Sequence, residues 1–213
     1  MLLTPLKIVA ARILALVLAL VCLGLTACAI SPGPPPSAYV LRPELAVAPA
    51  NEQVDSGNIQ LGINPTQVDE ALANNRVAML VNNREYLYWK DAAWTNDVPS
   101  LLLNWIISAF ETDHRVFVSS IDSNGFLADF RLASYAPEFN IIDHGNGQFS
   151  AAFALTARLF DLRDGKVMAI FKTRHEQQAS GPDIISIMKA FDVVLGQGLK
   201  DLVDWTVVNM PKS

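Results

Sequence analysis

The longest apolar stretch in the chain comes first. Ile13 to Leu25 is almost free of polar residues, follows a short positive region holding Lys7 and Arg12, and ends in Leu25-Thr26-Ala27-Cys28. A positive start, an apolar block and small residues before a cleavage point are the parts of an export signal. A transmembrane anchor is the rival, since a window opened at Ile8 approaches the length of a span. The block itself is short for that, and Ser31 to Ser37 carries no positive cluster to stop transfer. The expected organisation is a signal peptide over residues 1–27, a lipidated Cys28 heading a proline-rich tether over 28–37, and one domain over 38–213. Pro34, Pro35 and Pro36 favour an extended polyproline tether of about 3.1 Å per residue.

Beyond the tether the periods change. Tyr39-Val40-Leu41 reads as a short strand, and Leu45 to Gly57 has no stable period. Ile59, Leu61 and Ile63 alternate with Gln60 and Gly62, the mark of a half-buried strand. Thr66 to Leu72 has room for one or two helical turns, and Arg76 to Val81 resumes a strand. Asn82-Asn83 predicts a tight turn into Tyr86-Leu87-Tyr88, because asparagine tolerates left-handed backbone angles. From Asn96 or Asp97 the step becomes three and four: Leu101, Leu102, Trp105, Ile106, Ala109 and Phe110 form an apolar stripe behind a cap and Pro99. Val116 and Val118 predict a strand after it.

Phe126 to Ala136 predicts another strand, with Pro137 interrupting or ending it and Ile141-Ile142 continuing the edge. His144-Gly145-Asn146-Gly147 is a reversal signal. Phe149, Ala151, Phe153, Leu155, Ala157 and Leu159 then share one strand face, and Arg163-Asp164-Gly165-Lys166 turns the chain into Val167, Ala169 and Phe171. The end is helical, with Asp183 as cap and Ile184, Met188, Phe191, Leu195, Leu199, Leu202 and Trp205 on one stripe. Gly196 and Gly198 each cost about 1 kcal/mol relative to alanine inside a helix, so they mark a bend, a close helix–sheet contact or a fray. The expected fold is α+β: a two-layer sandwich with a mostly antiparallel sheet and two principal helices on one face.

Charge and cysteine content narrow the function. The chain holds 16 basic against 21 acidic residues, and removing Lys7 and Arg12 with the signal makes the exported part more acidic still. Nucleic-acid binding, which rests on many phosphate neutralisations, is not expected. There is no polybasic patch for lipid headgroups either, so membrane attachment falls to Cys28. The other cysteine, Cys22, lies within the signal, leaving no internal disulfide to form.

Candidate chemistry is sparse. His114, His144 and His175 are not spaced as metal ligands, and no cofactor is expected. Asp113-His114-Arg115 is read as polar residues capping and solvating a helix exit. His144 and His175 are read as turn and edge residues, and Asp161 and Asp164 as hairpin formers. Lys172, Arg174, His175 and Glu176 suit an edge strand that discourages unwanted pairing. There is no Gly-x-Ser-x-Gly elbow and no cysteine for a Cys–His mechanism, so the expectation is not an enzyme. The aromatic group Tyr86, Tyr88, Trp89 and Trp94 has three readings: a strand packed into the core, an anchor for a partner protein, or direct contact with lipid. Trp105 is read as core, and a second apolar strip on the terminal helix would allow copies of the chain to associate.

Taken in order, these segments resemble the ABC-type transport auxiliary lipoproteins, the group of PqiC-like proteins. The resemblance is carried by the lipobox at Cys28, Tyr39-Val40-Leu41-Arg42-Pro43, Tyr86-Leu87-Tyr88-Trp89, Trp94 before the leucine-rich helix, Ala128-Asp129-Phe130-Arg131-Leu132, and Leu159 through Val167 with its Asp-Gly-Lys turn. Ala93 stands where members of that group often have arginine, and Ile59 to Ala73 departs from the usual proline-containing stretch. The resemblance implies a noncatalytic accessory subunit on the periplasmic side of the envelope. It would work with an MCE-domain periplasmic protein, a permease and an ATPase in lipid transport, and its role would be assembly or substrate transfer. Ala29, in place of an acidic residue after Cys28, leans toward the outer rather than the inner membrane. The different-class alternative is a lipoprotein regulator of peptidoglycan synthesis or another envelope assembly factor.

Overall fold

The computed structural model describes residues 34–49, 60–120 and 128–211, together with Arg12. The expected signal peptide and the lipidation site Cys28 lie outside the described residues. No described helix is long and apolar enough to cross a membrane.

Described residues from Pro36 onward belong to one compact unit. Its elements are β1 (Ser37–Tyr39), β2 (Gln60–Ile63), β3 (Gln67–Val68), β4 (Arg76–Val81), β5 (Glu85–Trp94), α1 (Val98–Asp113), β6 (Phe117–Ser120), β7 (Phe130–Asp143), β8 (Phe149–Asp161), β9 (Lys166–Gln178) and α2 (Ile184–Asn209). The fold is α+β. One hydrophobic core takes residues from both helices and from one face of the sheet.

β7 organises the sheet. Along one edge it pairs antiparallel with β8, which pairs antiparallel with β9. Along the other edge it receives β2, β3 and β4 in succession, all parallel. β4 continues through β5 to β1, and β2 continues to β6. The sheet is therefore mixed: its long ladders are antiparallel and its short ones, apart from β4–β5, are parallel. Period-two alternation signals a strand but carries no information about the direction of its neighbour.

Pro137 does not end its strand. β7 runs through it, with the register shifting between Tyr135 and Glu138. Proline cannot donate to a ladder, and a bulge is where that missing donor is tolerated. The extra residue also exchanges faces. Phe130, Leu132 and Ala136 enter the core before the bulge, and Phe139 and Ile141 after it.

Both helices start as the sequence predicts. Asp97 and Asp183 accept hydrogen bonds from the backbone N–H of Ser100 and Ser186, each at 3.0 Å. Pro99 sits in the first turn of α1. Thr66 to Leu72 forms no regular helix; it divides into β3 and a 3-10 turn over Glu70–Leu72. The expected strand at Tyr39 begins earlier, at Ser37, and frees Leu41 to enter the core. Gly196 and Gly198 lie within a continuous α2 and are close approaches. A Cβ on Gly196 would sit 2.8 Å from the Glu44 carbonyl oxygen, where the chain after β1 crosses the helix.

Candidate interaction surface

β5 sends its aromatic residues in two directions. Tyr88 lies opposite Ala78 and Ala93 opposite Arg76, so the ladder slips between them, with Asp91 at a φ of 57°. Trp94 ends in the core, 1% exposed, with its ring 5.1 Å from Phe191 and 5.4 Å from Phe139. Trp89 is half-buried and meets Phe149 edge-on at 5.2 Å. Tyr88 donates to the Ala71 carbonyl at 3.0 Å, and the Arg76 guanidinium stacks 3.7 Å above its ring. The four aromatics therefore do not form one surface. Trp94 is enclosed, and Tyr86 lies in a different setting.

That setting is the sheet face turned away from the helices. Tyr86 pairs with Leu80, whose β7 partner is Ile142, so the three share a face opposite Ile141 and the core. Tyr135 on the same face donates to Asp69 Oδ1 at 2.6 Å. Glu138 accepts from Arg174 Nε through both carboxylate oxygens at 3.0 Å, and Arg174 also donates to Glu176 at 3.0 Å. Burial raises the Tyr86 phenol above its usual value, and the negative charges of Asp69 and Glu138 raise it further. The hydrogen bond to Asp69 is the main reason the Tyr135 phenol is raised. Both tyrosines stay neutral donors at physiological pH. Asp69, Tyr86, Tyr135, Glu138 and Arg174 make a polar band with no described helix over it. Of these, the sequence singles out Tyr86 as an aromatic candidate and Arg174 as an edge residue, but not their association, because the turn after β3, β7 and β9 are far apart along the chain.

The histidines are tied into structure. His175 Nε2 lies 2.7 Å from Asp201 Oδ2 and 3.0 Å from Thr173 Oγ1. A hydroxyl–imidazole–carboxylate relay uses the two ring nitrogens separately; here both partners crowd one nitrogen, and the contact joins β9 to α2. His144 repeats the pattern, with Nε2 2.8 Å from Ser150 Oγ and 3.5 Å from Glu176 Oε1. His114 caps α1 in a left-handed conformation, φ 64°.

Asp113 departs from the expected solvated helix exit. Its side chain is 3% exposed and takes Arg115 Nε at 2.6 Å and a second Arg115 nitrogen at 2.8 Å. Arg115 also reaches Asp204 on α2, which Lys200 contacts at 2.6 Å. The result is a clasp between the helices. At the β8–β9 turn Asp161 pairs with Arg163, and Asp164 with Lys166 at 2.8 Å. The Arg163 hydrogen bonds hold the Asp161 carboxyl down at about 2. No group of three or more metal-binding side chains gathers among the described residues. An open cleft of about 740 Å³ lies between the segment after β1 and α2, lined by Arg42, Leu45, Val47, Asp192, Val193 and Lys200 among others.

The solved structure of a DUF330 protein from Xanthomonas campestris superposes with a TM-score of 0.72, at 22% identity, covering 81% of this chain and 96% of that one. The fold is shared. A second solved structure, of an uncharacterised protein, matches with a TM-score of 0.62 at 14% identity, covering 81% of this chain and 99% of the other. A lipoprotein from Neisseria meningitidis superposes more loosely, with a TM-score of 0.38 at 11% identity over 70% of this chain and 99% of that one. No family model matches the chain, and no curated relative does. At 22% and 14% identity the likeness to the first two extends to the fold and no further.

Proposed function

We propose that this protein is a noncatalytic, lipid-anchored docking subunit on the periplasmic side of the cell envelope. Its partner is the MCE-type component of an ABC-type lipid transport system, with the permease and ATPase behind it. The export segment and Cys28 supply the anchor, and Ala29 favours the outer membrane. The observation that carries the docking role is the sheet face that no described helix covers, with its band of Asp69, Tyr86, Tyr135, Glu138 and Arg174. A broad, hydrogen-bonding face held on a rigid sheet suits recognition of another protein, and tyrosine and arginine are the side chains that dominate such contacts. Fixed at one end by acyl chains, the domain contributes position: it holds a soluble component at a set distance from the bilayer.

The test is copurification after mild detergent extraction, combined with photocrosslinking from position 86. An MCE-domain protein is expected in the adduct from position 86 and absent from the adduct at buried position 94. A folded, lipidated protein that never retains such a component counts against the reading.

A further inference from the structure

The outer edge of β9 has a definite polarity. The Ala179 N–H donates to the Phe149 carbonyl at 2.8 Å, next to the pair Ser150–Gln178. In an antiparallel ladder, residues bonded to the neighbour alternate with residues whose N–H and C=O point away. Thr173, His175 and Gln177 therefore bond to β8, while Ile170, Lys172, Arg174 and Glu176 aim their backbone groups at the open side. Among the described residues β9 pairs with β8 alone. The edge is regular from Ala169 to Gln178, the register slipping only beyond it, near Phe160. At its far end the Gln177 side chain closes the outward Gln178 carbonyl at 3.1 Å.

The side chains of those four residues lie on the face away from α2. Ile170 is 58% exposed. Arg174 is answered by Glu138 and Glu176, whereas Lys172 has no ion pair among the described residues. Pairing β9 with β9 of a second copy is disfavoured by these charges in the register that uses all four residues, which sets Lys172 against Arg174 twice. Of the adjacent registers, one sets Lys172 against itself, and the other sets Arg174 against itself while bringing Lys172 opposite Glu176. Like charges directly opposite one another destabilise a ladder.

We propose that the β9 edge is a strand-acceptor site for an extended segment of a partner protein that places an apolar residue opposite Ile170 and a carboxylate opposite Lys172. Main-chain bonds to the four outward residues supply binding, and the alternate side chains supply selection. This deepens the docking-subunit reading and rests on it, by naming the edge through which a partner is held.

The probe is a capped heptapeptide, Thr-Thr-Thr-Thr-Glu-Thr-Val, whose odd positions fall opposite Glu176, Arg174, Lys172 and Ile170. A control peptide has lysine in the fifth position. With the full-length lipoprotein in mild detergent, amide exchange resolved by residue is the readout. The glutamate peptide is expected to slow exchange at Ile170, Lys172, Arg174 and Glu176 at least tenfold, and the lysine peptide to do far less. Lys172→Pro removes an outward N–H together with the ammonium group, while breaking no backbone bond to β8, and should abolish the effect. Lys172→Glu should reverse the preference between the peptides, which keeps the test valid if the proline variant folds poorly. Equal protection by both peptides, or no protection at the four amides, overturns the proposal. Protection that appears on concentrating the protein alone assigns the edge to a second copy and also overturns it. If the MCE component copurifies undiminished with Lys172→Glu, the edge assignment fails while the docking role stands; its absence from the wild-type protein defeats the docking role itself.

Discussion

Gly198 on α2 and Phe153 on β8 touch across the helix–sheet interface so closely that a methyl group cannot fit between them: a Cβ on Gly198 would lie 2.6 Å from Phe153 Cε1. Phe153 has no room to withdraw, being fully buried with its ring 6.0 Å from that of Phe139. Gly198→Ala should gain about 1 kcal/mol of helix propensity and lose about 1–3 kcal/mol to overpacking. A lower melting temperature is the expected outcome. Adding Phe153→Leu should recover part of the loss, and thermal unfolding of the three variants checks both statements.

Arg115 holds a carboxylate that water barely reaches. Replacing it with methionine leaves Asp113 buried without its main partner, and removing one member of such a pair costs about 3–5 kcal/mol. The double change Asp113→Leu with Arg115→Met should be markedly more stable than Arg115→Met alone, because the stranded charge goes as well. Denaturant unfolding of the two single variants and the pair gives the coupling. Additive effects would mean that the clasp does not act as a unit.

Asp192 and Asp204 on α2 should bend the pH dependence of stability in opposite senses. Burial raises the Asp192 carboxyl above its ordinary value, outweighing the help it receives from the Arg42 N–H. Between the ordinary value of 3.8 and that raised value the folded state binds more protons than the unfolded state. The Asp192 contribution therefore falls as pH rises through this window. Asp204 is lowered: burial works against its charge, but Lys200 and Arg115 prevail. Its contribution is present above 3.8 and is lost as pH falls through the lowered value. Asp192→Asn keeps an oxygen acceptor for Arg42 and should gain on the wild type as pH rises from 3.8 toward neutrality. Melting curves from pH 3 to 7 test this, and a constant offset between the two proteins contradicts it.

Pro137 should be replaceable but not removable. Pro137→Ala keeps the extra residue and should change stability by about 1 kcal/mol or less. Deleting it restores strict alternation, which moves Phe139 and Ile141 from the core to the open face or forces β7 out of register with β8. The deletion variant should lose its cooperative unfolding transition, and circular dichroism with thermal melting distinguishes the two.

The regular parts of the fold were legible wherever the signal was local. Capping by Asp97 and Asp183, the stripe from Leu101 to Phe110, and the left-handed Asn82, Asn83 and Gly165 all follow from neighbouring residues. At Pro137 the sequence leaves interruption and termination both open, because proline normally stops a strand; only the match of β7 to β8 on both sides reveals that the strand continues through a bulge. The parallel placement of β2, β3 and β4 was hidden because direction leaves no period in a sequence. The polar band was hidden for a related reason. Asp69, Tyr135 and Arg174 have nothing in common until the sheet aligns them. Asp113 reads as a solvent-facing cap because its nearest neighbours are polar, while Asp204, which shares Arg115 with it, lies ninety-one positions further along.

β2, β3 and β4 share a single template, and that template is made after them. Residues 60 to 81 cannot settle beside β7 until Phe130 to Asp143 has emerged. Contacts so distant along the chain close slowly. A polypeptide threaded from its N-terminus through a narrow export channel would thus stay loose behind the leading end. The order of strands itself delays compaction of this half of the sheet until β7 is through.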